Sequence, residues 1–143
     1  MKDTENKTMD IENIFENLLK PGNLQEEREV VPGLKVKIRA LTAEEIMLAE
    51  LQCYRPGVPQ NISKKLMSAA ILARAIIEMN GVPIRNSELS DEENDSRILK
   101  TYQKIIALPP VIIEKMYEFY IDVVKKQDSL LLTGDISKEL SNF

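Results

Sequence analysis

Histidine is absent from all 143 residues, and with it go the commonest general base near neutral pH and the commonest neutral metal ligand. Tryptophan is also absent and there are only three phenylalanines, so the interior has to be built from Ile, Leu, Val, Ala and Met. Such side chains favour interdigitating helices. The single cysteine, Cys53, excludes an internal disulfide and has no His partner to make it a nucleophile. The five glycines stand alone at turns, which excludes a glycine-rich phosphate loop. No apolar run approaches the roughly 18 residues of a membrane span. The opening decapeptide MKDTENKTMD is polar, unlike a secretory leader, and the expected setting is intracellular. A net charge of -4 supplies no broad cationic field for phosphate backbones or anionic lipid, so nucleic acid and membrane are poor candidates for partners.

What is present is a succession of helical stripes. The chain is read as a flexible tail at 1–10, a single helical domain at 11–128 and a loosely held tail at 129–143. Ile11, Ile14, Phe15, Leu18 and Leu19 recur at i, i+3, i+4, i+7 and i+8, an amphipathic helix over 11–20 that Pro21-Gly22 stops. Leu34, Val36, Ile38 and Ala40 alternate with Lys35, Lys37 and Arg39, the period of a half-buried strand. Val30 and Val31 ahead of Pro32-Gly33 suggest a second arm. A Pro-Gly pair suits a tight hairpin poorly, so a longer loop is allowed for.

Thr42-Ala43-Glu44-Glu45 has the form of a capping box and opens a helix to about Cys53, with Ile46, Ala49 and Cys53 on one face. After the proline-rich link at 55–59, Asn61 or Ser63 is expected to cap the central helix, 62–79, whose inner face runs from Ile62 to Ile77. Asn80-Gly81 is read as its C-terminal cap, followed by an extended Val82-Pro83-Ile84. The acids Glu88, Asp91, Glu92, Glu93 and Asp95 are placed in an exposed loop at 86–95. They lack the spacing and central glycine of an EF-hand. Helices follow over about 95–107 and 110–127, separated by Leu108-Pro109-Pro110. The fold class is therefore mainly α: a compact bundle of about four main helices with a small β element, hairpin or edge strand, near 29–40.

Several of these segments occur in a telling order. A strand ends in Arg39-Ala40-Leu41-Thr42-Ala43-Glu44-Glu45, and a helix follows. An alanine-rich helix then runs into Ile76-Ile77-Glu78-Met79-Asn80-Gly81-Val82-Pro83-Ile84. Beyond the acidic stretch comes Leu108-Pro109-Pro110-Val111-Ile112-Ile113 and an aromatic-bearing helix. Over about residues 30–124 this resembles the small tail-assembly chaperones and baseplate-hub assembly proteins of tailed bacteriophages. The proline-rich link at 55–59 departs from that pattern.

The resemblance implies a non-enzymatic morphogenesis factor that binds a tail structural protein, tape measure or baseplate hub component, in the host cytoplasm. A permanent tail or baseplate subunit, residing in the virion, is the alternative, and a nucleic-acid-binding regulator using the basic clusters at 35–39 and 64–65 is the weaker one. Self-association is compatible with any of these. No catalytic residue, cofactor or metal site is read from the sequence. The expected partner-binding surface joins Ile14, Phe15, Leu18 and Leu19 of the first helix to Lys35, Lys37 and Arg39 on an edge strand.

Overall fold

The computed structural model describes residues 10–16, 24–84 and 90–133. Of these, 65% are helical, so the mainly helical expectation holds, but the sheet is larger than foreseen. A short helix α1 (10–16) precedes β1 (Gln25–Val31), β2 (Leu34–Arg39), α2 (Ala43–Cys53) and α3 (Gln60–Ala75). There follow β3 (Ile76–Met79), β4 (Val82–Pro83), α4 (Asp91–Ile106) and α5 (Pro110–Leu132). The strands form one antiparallel sheet in the order β1-β2-β3-β4. β2 is thus an interior strand with partners on both sides, not an edge.

The β1–β2 hairpin turns in two residues, Pro32 and Gly33, with Val31 paired to Leu34. Gly33 takes φ +86°, and the register shifts between Glu29 and Val31. That irregularity adds right-handed twist, which a Pro-Gly turn alone does not provide. No longer loop is needed.

The central helix ends four residues earlier than its periodicity suggests. At Ile76 the backbone turns extended, φ −70° and ψ 122°, and Ile76–Met79 pairs with β2. Two consecutive β-branched residues favour that switch. Asn80 and Gly81 both have positive φ (51° and 79°), so Asn-Gly is the tight turn of a second hairpin and not a helix cap. At the other end α3 starts at Gln60 with Pro59 at its cap and no side-chain cap bond, rather than at Asn61 or Ser63.

The remaining helices start where local chemistry places them. Glu45 N–H donates to Thr42 Oγ1 at 3.3 Å and Thr42 N–H to Glu45 Oε1 at 3.2 Å, the reciprocal pair of the capping box. Ser90 Oγ accepts from Glu93 N–H at 3.2 Å, so α4 begins at Asp91 and takes the acids Asp91, Glu92 and Glu93 into its first turn. There they face the positive end of the helix dipole instead of lying in a loop. Pro110 opens α5, where its missing N–H costs nothing, and the helix continues past the expected residue 127 to Leu132.

One hydrophobic core joins these elements. Ala69, Ala70, Leu72, Ala73 and Ala75 of α3 are fully buried, together with Val36, Ile38, Ala49, Ile76, Met116 and Val123. Full burial of one such Leu, Ile or Val side chain contributes roughly 1.5–3 kcal/mol. α5 lies across the inner face of β1 and β2, on which Val36 and Ile38 project. Beside them β1 presents charge: Arg28 lies 4.5 Å over the Phe119 ring and 2.9 Å from Asp122, and Glu26 pairs with Lys126.

The two hairpin turns are tied together by Asn80. Its N–H donates to Lys35 O (2.8 Å), its Oδ1 accepts from Lys35 N–H (2.8 Å), and its Nδ2 donates to Gly33 O (3.1 Å). Removing the side chain at this left-handed position loses two of those bonds and adds backbone strain. Asn80→Ala is expected to cost about 1–3 kcal/mol in urea denaturation, and Asn80→Gly to recover the part due to backbone strain. Equal stability of all three proteins would mean the tie carries no energy.

Candidate protein-binding surface

Of the residues expected to bind a partner, Ile14 and Phe15 lie on α1 and are 56% and 63% exposed, as is Ile11 at 54%. Leu18 and Leu19 lie outside the described residues. The three cations share one face of the sheet but are not a free basic rail. Lys35 pairs in register with Glu29, and Lys37 lies between Glu27 on β1 and Glu78 on β3. Cross-strand neighbours of opposite sign stabilise the sheet and cancel its field. Arg39 is committed to the capping box: its guanidinium meets both Glu45 carboxylate oxygens, 2.8 Å for the Nη1–Oε1 contact, with both side chains about four-fifths buried. A planar fork held this way is stronger than an exposed ion pair.

A further uncovered apolar surface lies elsewhere. α2 buries Ala49 and Cys53 against α3, yet its outward side carries Met47, Leu48, Leu51 and Tyr54, the last two 73% and 68% exposed. Met47, Leu51 and Tyr54 with Glu50 form a shallow hollow of about 220 Å³. These positions fall at i, i+1, i+4 and i+7, a second stripe beside the inner one. A helix apolar on both sides within one small domain has a face left over for something else.

A second concavity, about 240 Å³ and mostly apolar, lies between the first turns of α3 and the α4–α5 junction. Ile62 and Leu66 form one wall, and Ile106, Leu108, Ile113 and Tyr117 the other. Lys65 and Glu114 stand at its edges. A third cleft of about 540 Å³, more polar, runs between Tyr54–Val58 and Ser63, Lys64 and Met67. The N-terminal half of α3 is thus a ridge with a hollow on each side. Neither hollow was read from the sequence. Ile62 and Ile106 belong to helical stripes, and only their 45% and 44% exposure separates them from core.

Among the described residues no three acidic or thiol side chains gather as a metal site, and no helix is long and apolar enough to cross a membrane. Burial pushes the Cys53 thiol above its ordinary value; its Sγ–H points to Glu50 O at 3.5 Å and lies 3.7 Å from Met67 Sδ. Burial likewise raises the phenols of Tyr102 and Tyr120.

No family model, curated protein or solved structure compared with the chain gives a match.

A protonated, nearly covered thiol should react slowly. With an aromatic disulfide reagent at mildly alkaline pH, folded protein is expected to react at least about tenfold slower than protein unfolded in urea. A folded rate equal to or above the unfolded one would mark Cys53 as an activated nucleophile.

Proposed function

We propose that this protein is a tailed-bacteriophage morphogenesis factor that acts as an assembly chaperone, holding a tail structural protein of the tape-measure or baseplate-hub kind until assembly. The observation that carries the reading is the outward face of α2. Met47, Leu48, Leu51 and Tyr54 together offer an adaptable aliphatic and aromatic surface of the kind that receives an apolar helix. The order of segments from Arg39 to Ile113, which resembles the tail-assembly families, supplies the identity of the client class.

Exposed Met and Leu suit a reversible hold: they bury apolar area without demanding one fixed geometry. Near balance of charge on the sheet favours protein over nucleic acid as the partner. Lys35 and Lys37 face acids across the strands, and Arg39 is spoken for by Glu45. A permanent subunit of the tail or baseplate would use the same surface, so the two roles differ in when the contact ends.

Leu51 and Met47 are exposed, so Leu51→Lys and Met47→Lys should leave the melting temperature nearly unchanged, within about 0.5 kcal/mol of stability. Co-expressed tape-measure and hub proteins are expected to be retained by the unaltered chain and lost by the double variant. Retention of neither by the unaltered chain would overturn the reading; retention by the variant would move the client site off α2. Mass spectrometry of purified particles then separates the roles, since an assembly chaperone is depleted from mature virions and a structural subunit is stoichiometric.

A further inference from the structure

With α2 as the client face proposed above, we infer that this face selects an amphipathic helix carrying Lys or Arg beside its apolar stripe.

Three observations lead to it. The first is where charge lies on the face. At about 100° per residue, Met47, Leu51 and Tyr54 fall in one narrow sector of α2, with Glu44 at its N-terminal end and Glu50 along one flank. Both acids are exposed, and roughly 9 Å of helix axis separates them. α2 contains no base, and its third acid, Glu45, is turned to Arg39. Glu50 is the one charged residue lining the shallow apolar hollow.

The second is that the free fold gains nothing from Glu50. It lies in the last turn of α2, where a carboxylate faces the negative end of the helix dipole. Two cations, Arg55 and Lys64, line the adjoining cleft, but neither forms an ion pair with it. Arg55 instead gives its guanidinium to Tyr54 O at 2.9 Å and Gln52 O at 3.4 Å. A charge that breaks a local rule with no compensating contact inside the fold points to a contact outside it.

The third sets aside the chain's own exposed helix. α1 offers Ile11, Ile14 and Phe15 as a stripe, but residues 10–16 carry Asp10, Glu12 and Glu16 and no base. Like charges brought together penalise that pairing, whether α1 comes from the same chain or from a second copy. A basic client meets no such penalty. Its Lys or Arg stems lie along Met47 and Leu51 while the charged heads reach the carboxylates.

Fluorescence anisotropy of the full chain with three labelled designed peptides tests this. The peptides are amphipathic helices that share one leucine stripe and differ only in flanking residues: Lys, Gln or Glu. The Lys-flanked peptide is expected to bind at least about tenfold tighter than the Glu-flanked one, with the Gln-flanked peptide between them. Glu50→Lys should reverse that order without lowering the melting temperature, because it removes an acid from the wrong end of the dipole. Glu118→Lys, on an exposed part of α5, makes the same change in net charge and should leave the order intact. Rising salt should narrow the ratio.

Equal affinity for the three peptides would overturn the inference. So would a preference that survives Glu50→Lys, or one that Glu118→Lys reverses as well. The client face itself stands or falls separately. If all three bind alike and Leu51→Lys abolishes them, α2 remains the client face and only the charge selection is lost. If none binds, or Leu51→Lys leaves all three unaffected, both are lost.

Discussion

Alanine at 69, 70, 73 and 75 is the constraint on which the rest of this architecture depends. With side chains this small, α3 can be approached closely by α2, α4 and α5 along its length, and its last turn can pass straight into the sheet as β3. A larger residue at any of these fully buried positions would have to displace a neighbouring backbone, because interiors packed to crystal density have no slack. The aliphatic composition then follows as a consequence. Around a thin central helix the space is filled by Ile, Leu, Val and Met from the outer elements, with Phe119 and Tyr120 contributed by α5.

Direct passage from α3 to β3 also explains how the sheet is attached. No loop separates the two, so Ile76 is simultaneously the cap of the helix, whose N–H bonds to Leu72 O, and the partner of Ile38 in the sheet. The register shifts at that point, leaving Ile77 as the extra residue. A bulge bends a strand, and here it reconciles the direction of α3 with that of β2. Asn80 then locks the far end by bonding to the opposite hairpin, so short-range chemistry fixes the ends of the sheet while Val36, Ile38 and Ile76 bury its inner face.

Much of this was legible in the sequence because the signals were local. The capping box at Thr42 and Glu45, the alternation from Leu34 to Ala40, Pro110 at the start of α5 and the alanine-rich helix each require only neighbouring residues to be seen. The errors have one source: a signal with two local readings that tertiary pairing decides. Ile76-Ile77 continues a helical stripe as well as it begins a strand, and Asn-Gly ends a helix as well as it turns a hairpin; β2, already half-buried, supplied the partner that chose. In the same way β2 looked like an edge because its second neighbour, β3, was hidden inside an expected helix. The charge around the basic rail was hidden for a related reason. Lys35, Lys37 and Arg39 were counted along one strand, while the acids opposite them, Glu27, Glu29 and Glu78 in register and Glu45 in an ion pair with Arg39, come from other elements.

The exposed face of α2 shows why a binding surface is harder to read than a core. Met47, Leu48, Leu51 and Tyr54 are as apolar as the residues that are buried, and periodicity records only that a stripe exists, not which stripe the fold uses. Helix α2 carries two, and the one with the smaller residues, Ala49 and Cys53, is turned inward because only small side chains fit against the small side of α3. The bulkier stripe is left outside for that steric reason. Close approach at the centre and apolar exposure at the rim are thus two results of one choice of residue size. Enlarging Ala49 to improve the core would push α2 away from α3, and trimming Leu51 to improve solubility would remove the surface that the inward alanines made available.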